Sequence, residues 1–116
     1  MAWLMSEARV FASIDVADDH RARAKGLLGR TGIEGALAIP RCRWVHTIGM
    51  RFPIDVAYVN DQNLVIKTVT MHRHRIGVPV MKSRLVIEAE AGAFERWGLH
   101  LGDPIEIRHT DPNPTH

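Results

Sequence analysis

Ile54-Asp55-Val56-Ala57-Tyr58-Val59-Asn60-Asp61-Gln62-Asn63-Leu64-Val65-Ile66-Lys67-Thr68-Val69-Thr70-Met71 is the stretch that decides the fold. Ile54 to Val59 is apolar on both faces, which predicts a strand covered on both sides at the centre of a sheet. Asn60 to Asn63 is built from residue types that tolerate left-handed backbone, and so reads as a turn. Leu64 to Met71 then returns as a second strand. Its Val65, Lys67, Val69 and Met71 alternate with Leu64, Ile66, Thr68 and Thr70, the period of two that a pleated strand requires. The unit is an antiparallel hairpin.

Working outward from this hairpin, Arg9 to Val16 reads as a strand with Val10, Ala12, Ile14 and Val16 on its inner side. Asp18 or Asp19 can cap a helix through Arg30, with Ala22, Leu27 and Leu28 as its apolar face and Gly29 or Gly32 as its stop. Gly35 to Ile39 is a short strand ended by Pro40. After the hairpin, Arg73 to Met81 is a loop and Arg84 to Glu90 a strand. Ala91 to Trp97 is a short helix closed by Gly98, and Gly102-Asp103-Pro104 turns into a last strand, Ile105 to His109. The order is β-α-β-β-β-β-α-β. The expected fold is mostly β (α+β): a small closed or nearly closed antiparallel β-barrel with two short helices, since closure removes exposed sheet edges. One domain over 9–109 is expected, with residues 1–8 and 110–116 flexible.

The chain has 116 residues, 46% hydrophobic and 24% charged, which fits one soluble globular domain and excludes disordered and fibrous classes. Lys and Arg number 15 against 13 Asp and Glu, a net charge of +2, too balanced to signal a nucleic-acid protein by itself. Cys42 is the single cysteine, so no internal disulfide or paired-cysteine redox motif is available. No apolar run approaches the ~18 residues of a membrane span, and Ser6, Glu7 and Arg9 interrupt the apolar start Met1 to Met5. A cytoplasmic protein without membrane association is expected.

Four stretches carry a family likeness: Arg23-Ala24-Lys25-Gly26-Leu27-Leu28-Gly29-Arg30, His46-Thr47-Ile48-Gly49-Met50-Arg51-Phe52-Pro53-Ile54-Asp55-Val56, Val86-Ile87-Glu88-Ala89-Glu90-Ala91-Gly92 and Gly98-Leu99-His100-Leu101-Gly102-Asp103-Pro104-Ile105. Together they resemble the family called domain of unknown function 192, over about residues 9–108. The resemblance implies a mostly β fold with a helix near each end, and it assigns no activity. Many members carry a signal peptide or lipid-anchor segment, which this sequence is read as lacking. Glu90 stands where the family usually has proline.

The densest polar constellation is Arg41, Cys42, Arg43, His46, Thr47, Arg51 and Asp55, between two strands. His46 and Asp55 are chemically a base and its orienter. Arg43 and Arg51 offer guanidinium forks suited to carboxylate or phosphate. The structural alternative for Asp55 is to accept backbone N–H bonds or to pair with Arg51. From Gln62 to Ile87 there is no acid, but Lys67, Arg73, Arg75, Lys82 and Arg84 are present with His72 and His74; residues 41–51 add three arginines and no acid. If both segments meet, they form a basic end that attracts anions. Solvated loop charge is the bland alternative. No metal is expected: His72 and His74 could share a face, but they lack a near third ligand and have arginine neighbours. Cys42, between two arginines, reads as a buried thiol more readily than as a nucleophile.

The favoured reading is a non-catalytic domain binding an anionic small molecule or partner through Arg43, His46, Thr47, Arg51, Asp55, Arg73 and Arg75, with no cofactor. His46 would add affinity as pH falls. The alternatives are an enzyme using His46 and Asp55 with arginine clamps on a phosphorylated or carboxylated substrate, and a nucleic-acid-associated module. The latter is disfavoured, because only Trp44 and Phe52 offer stacking surfaces near the arginines.

Overall fold

The computed structural model describes residues 1–18 and 32–110. Its strands are β1 (Ala2–Ser6), β2 (Arg9–Val16), β3 (Ala36–Pro40), β4 (Ile54–Val59), β5 (Val65–Met71), β6 (Leu85–Glu90) and β7 (Glu106–His109). They form one seven-stranded sheet in the order β5-β4-β6-β3-β2-β1-β7. Among the described residues there is one helix, α1 (Ala93–Trp97). The protein is mostly β, and no described helix is long and apolar enough to cross a membrane.

The hairpin forms, with one departure from the reading: Val59 pairs with Val65, which leaves Ile66 as a bulge and sends Val65 to the face opposite Val69 and Met71. Ile54 pairs with Met71, Val56 with Val69 and Tyr58 with Lys67, and β4 lies between β5 and β6 with all six residues buried. Asn60 builds the turn: its Oδ1 accepts the N–H groups of Gln62 (3.0 Å) and Leu64 (2.9 Å), and Asn63 takes φ 63°.

Both faces of the sheet are covered, and strand parity sorts the side chains between them. Ile54, Val56 and Tyr58 join Leu37, Ile39 and Val86 in one cluster, roofed by Cys42, Val45, Met50 and Phe52 from the segment between β3 and β4. Ala57 and Val59 join Ala36, Ala38, Ile87 and Ala89 in the other, which also takes Leu4, Phe94, Leu99 and Ile105. Ile54 and Val56, both fully buried, each contribute about 1.5–3 kcal/mol of apolar burial.

Several expectations are corrected. The sheet does not close into a barrel; β5 and β7 are its edges. They meet at one end only, where Leu64 bridges Pro104 and the N–H groups of Val65, Gly102 and Ile105 donate to Asp103 O (3.0 Å), Val65 O (2.8 Å) and Asn63 O (2.7 Å). Beyond that point β7 is too short to follow β5: it has four residues, and its ladder belongs to β1. The sheet is also not wholly antiparallel, because Ile14, Asp15 and Val16 of β2 pair in parallel with Ala36, Leu37 and Ala38 of β3. The expected helix from Asp18 or Asp19 through Arg30 lies, Asp18 apart, outside the described residues.

Residues 1–8 are not a loose end. β1 pairs with both β2 and β7, and Leu4 is fully buried. A register shift opposite Leu4 and Met5 leaves Phe11 as an extra residue in β2, which reverses the facing of what precedes it. Val10 is therefore 57% exposed rather than inward. Thr110 is tied back as well, its N–H donating to Met1 O at 2.8 Å. Residues 111–116 lie outside the described residues.

Candidate functional site

β3 ends in Pro40, and Arg41, at φ 56°, turns the chain across the sheet. From there exposed and buried residues interleave. Arg41, Arg43 and Arg51 are exposed, while Cys42, Val45, Met50 and Phe52 enter the core. The apolar members thus pin the segment to the sheet, and the arginines are left in solvent.

The second basic loop, after β5, zips onto this segment. His46 forms an isolated bridge with Ile76. The N–H groups of Thr47, His74, Gly77 and Val80 donate to the carbonyls of Arg75 (2.8 Å), Thr47 (2.9 Å), Val45 (2.9 Å) and Arg43 (2.8 Å). Trp44 Nε1 donates to Gly77 O at 2.7 Å. The approach at Gly77 is close: a Cβ there would sit 2.8 Å from the Val45 carbonyl oxygen. The two basic loops therefore meet in space.

Thr47 is the staple between them. It is fully buried, and its Oγ1 donates to His72 O at 2.6 Å and accepts from the Arg75 N–H at 2.9 Å. Its hydroxyl is engaged in the loops' own bonding. His46 and His74 accept backbone N–H bonds on Nδ1, from Ile48 and Gly49 respectively, both at 3.3 Å. The His46 ring also packs 5.4 Å from Trp44.

Arg43, Arg51, Arg73 and Arg75 are all exposed, and among the described residues none forms an ion pair with a carboxylate. Arg75 Nη1 donates to the Arg73 carbonyl at 3.5 Å. Beside this loop lies an open cleft of about 310 Å³, lined by Tyr58, Lys67, Met71, His72, Arg75 and Ile76 among others. Of the expected site residues only Arg75 lines it. Lys67 and His72 complete its charge, and neither was among them. The signal for Lys67 was present: it shares strand parity with Val69 and Met71 and lies opposite Tyr58.

Asp55 is elsewhere. It has the parity of Ala57 and Val59, so its side chain leaves β4 on the face opposite Ile54 and Val56. There Oδ1 accepts from Thr70 Oγ1 at 2.7 Å, and Oδ2 accepts from the N–H groups of Gly92 (3.0 Å) and Phe94 (3.2 Å). Asp55 thus fixes the start of α1, whose own cap, Gly92 at φ 93°, supplies no side chain. These bonds connect it with neither His46 nor Arg51, so they lend nothing to the alternative reading of a His46–Asp55 acid–base dyad. Asp55 and Thr70 also line a second cleft, about 400 Å³, with Thr68, Phe94, Leu99 and His100.

Cys42 is buried, and its Sγ donates to Trp44 O at 3.1 Å, an arrangement for packing and not for attack. Glu88 is fully buried at the register position between Leu37 and Val56. No three His, Cys, Asp or Glu residues gather as a metal set among the described residues. On β7, the 2.6 Å bond to Glu106 raises the pKa of the exposed Arg108, a surface pair outside both clefts.

The family model of domain of unknown function 192, described as an uncharacterized ACR, matches residues 3–107. None of the curated proteins matches the chain. Two solved structures share the fold. One is a protein of unknown function from Novosphingobium aromaticivorans DSM 12444, 20% identical, with a TM-score of 0.71 over 90% of this chain and 82% of that one. The other, from Sinorhizobium meliloti 1021, is described as a candidate transcription regulator; it is 19% identical, with a TM-score of 0.71 over 90% of each chain.

Proposed function

Since the chain belongs to the domain of unknown function 192 family, which carries no assigned activity, we propose from its geometry that it is a non-catalytic module binding a small anionic molecule in the cleft beside β5. The observation that carries this reading is the lining. Lys67, His72 and Arg75 converge on one open concavity, and Tyr58, Met71, Ile76 and Val78 supply its apolar wall. A carboxylate or phosphate on an apolar body matches that division, the head held by charge-assisted bonds and the body by the wall. Arg43, Arg51 and Arg73, exposed on the joined loops, add to the attracting field. Thr47 and Asp55 serve the module as structural groups that hold the loops and α1 in place.

A nucleic-acid-associated role has two observations on its side, the exposed arginines and the description of the Sinorhizobium protein. Against it, Phe52 is buried, and the half-buried Trp44 ring packs against His46, which leaves little aromatic surface beside the arginines for bases to stack on.

Titration with phosphate, acetate and hexanoate, followed by amide NMR, tests the small-anion reading. Shifts are expected at residues 67–78, stronger for hexanoate than for acetate, and lost in the Lys67→Glu, Arg75→Glu double variant. No shift at millimolar anion, or shifts that survive the double variant, would overturn it. Binding confined to oligonucleotides, with steep salt dependence, would shift the reading to nucleic acid.

A further inference from the structure

Among the described residues, the outer edge of β5 has no partner strand from Ile66 to Met71. Its first residue, Val65, is closed off by the bonds to Gly102 and Asp103, and past that point the seam between β5 and β7 opens. Clefts flank the free edge on both sides. Thr68, Leu99 and His100 line one, and Lys67, Met71 and Arg75 line the other, while Val69 and Thr70 belong to both.

Natural sheets blunt a bare edge with proline, charge, bulges or brevity, because a row of unpaired N–H and C=O groups recruits other chains. β7, the opposite edge, is four residues long and follows Pro104. β5 is seven residues long and has no proline; its one charge, Lys67, and its one bulge, at Ile66, both lie near its start, so Thr68 to Met71 carry neither. An exposed strand edge with a pocket on either side is the geometry of strand addition, in which backbone bonds supply affinity and alternate side chains supply specificity.

We propose that the open seam receives an extended acidic peptide, which pairs with β5 as an additional strand. Alternate residues of such a peptide face the two clefts. On one side Lys67, His72 and Arg75 select carboxylates; on the other Thr68, Thr70 and Leu99 favour small or β-branched side chains. A second copy of this chain is the poorer occupant, because edge-to-edge pairing of two β5 strands would bring the cationic flanks of both copies together. The inference rests on the cationic cleft as an anion site and adds the backbone pairing, which no small anion can supply.

The test uses the full chain, isotopically labelled, and the blocked peptide Val-Glu-Val-Glu-Val-Glu. Its controls are the same peptide N-methylated at alternate residues and the peptide with Lys in place of Glu. Binding of the acidic peptide is expected to slow exchange of amides within residues 66–71 by about tenfold or more. It is expected to weaken by about tenfold in Lys67→Glu. Both controls are expected not to bind. Equal binding of an N-methylated peptide, or unaltered exchange at 66–71, would overturn strand addition. If phosphate and acetate still shift residues 67–78, the small-anion reading survives that result; if they do not, both fall. A concentration-dependent dimer that protects the amides of residues 66–71 without added peptide would assign the edge to a second copy and also overturn the proposal.

Discussion

Thr47 and Arg75 are joined twice over. The Thr47 N–H donates to the Arg75 carbonyl at 2.8 Å, and the Arg75 N–H donates to the Thr47 hydroxyl at 2.9 Å. A buried side chain on one basic loop thus dictates the backbone of the other. The cationic surface is held from beneath, by a residue that carries no charge, and the exposed arginines do not have to order themselves.

The first prediction follows from that staple. Thr47→Val keeps the shape of the side chain but leaves the His72 carbonyl and the Arg75 N–H without their partner. The expected cost is roughly 2 kcal/mol in urea unfolding. Amide shifts should concentrate at residues 72–77, and Thr47→Ser should recover most of the stability. A loss spread evenly over the sheet, or none at all, would remove Thr47 from this role.

Asp55 yields the second prediction. Its carboxylate serves the Thr70 hydroxyl and two N–H groups at the start of α1. Asp55→Ala strands all three and should cost roughly 3 kcal/mol. Asp55→Asn retains an acceptor oxygen and should cost less. Neither should change anion binding at Lys67, His72 and Arg75, which lie on the other face of the hairpin. Anion binding lost in Asp55→Asn at unchanged stability would return Asp55 to the functional site.

The contrast between these two residues shows where reading the sequence stops. The β4–β5 hairpin was legible because alternation and an Asn-rich turn are local signals. Which face the basic loops cover was not legible. Their contact rests on Thr47, His46 and Ile76, which lie on opposite sides of the whole hairpin in sequence and are joined by an isolated bridge that leaves no periodic trace. Openness of the sheet was hidden for a similar reason, since closure depends on how far β7 runs alongside β5 and not on either strand's own pattern. Lys67 was read as one charge among several, because its value as a site residue comes from Arg75 and His72 folding over it.

The missed strand β1 leads to the last prediction. Ser6 pairs with Arg9, so Glu7 and Ala8 alone make the turn between β1 and β2, with φ values of 48° and 68°. Two consecutive left-handed residues mark the tight hairpin turn that Asn-Gly ordinarily fills. Neither Glu nor Ala suits it, because a Cβ in this region crowds the backbone. That is why the turn sent no signal, and why it stores strain. Ala8→Gly should relieve the strain and raise stability by about 1 kcal/mol, net of the extra freedom glycine gives the unfolded chain. Glu7→Asn should add to the gain. Hydrogen exchange at Leu4 and Met5 should slow in step with the global unfolding free energy, since β1 is held by ladders on both sides. A destabilised Ala8→Gly protein would show that the turn is not strained and that β1 is held by its ladders alone.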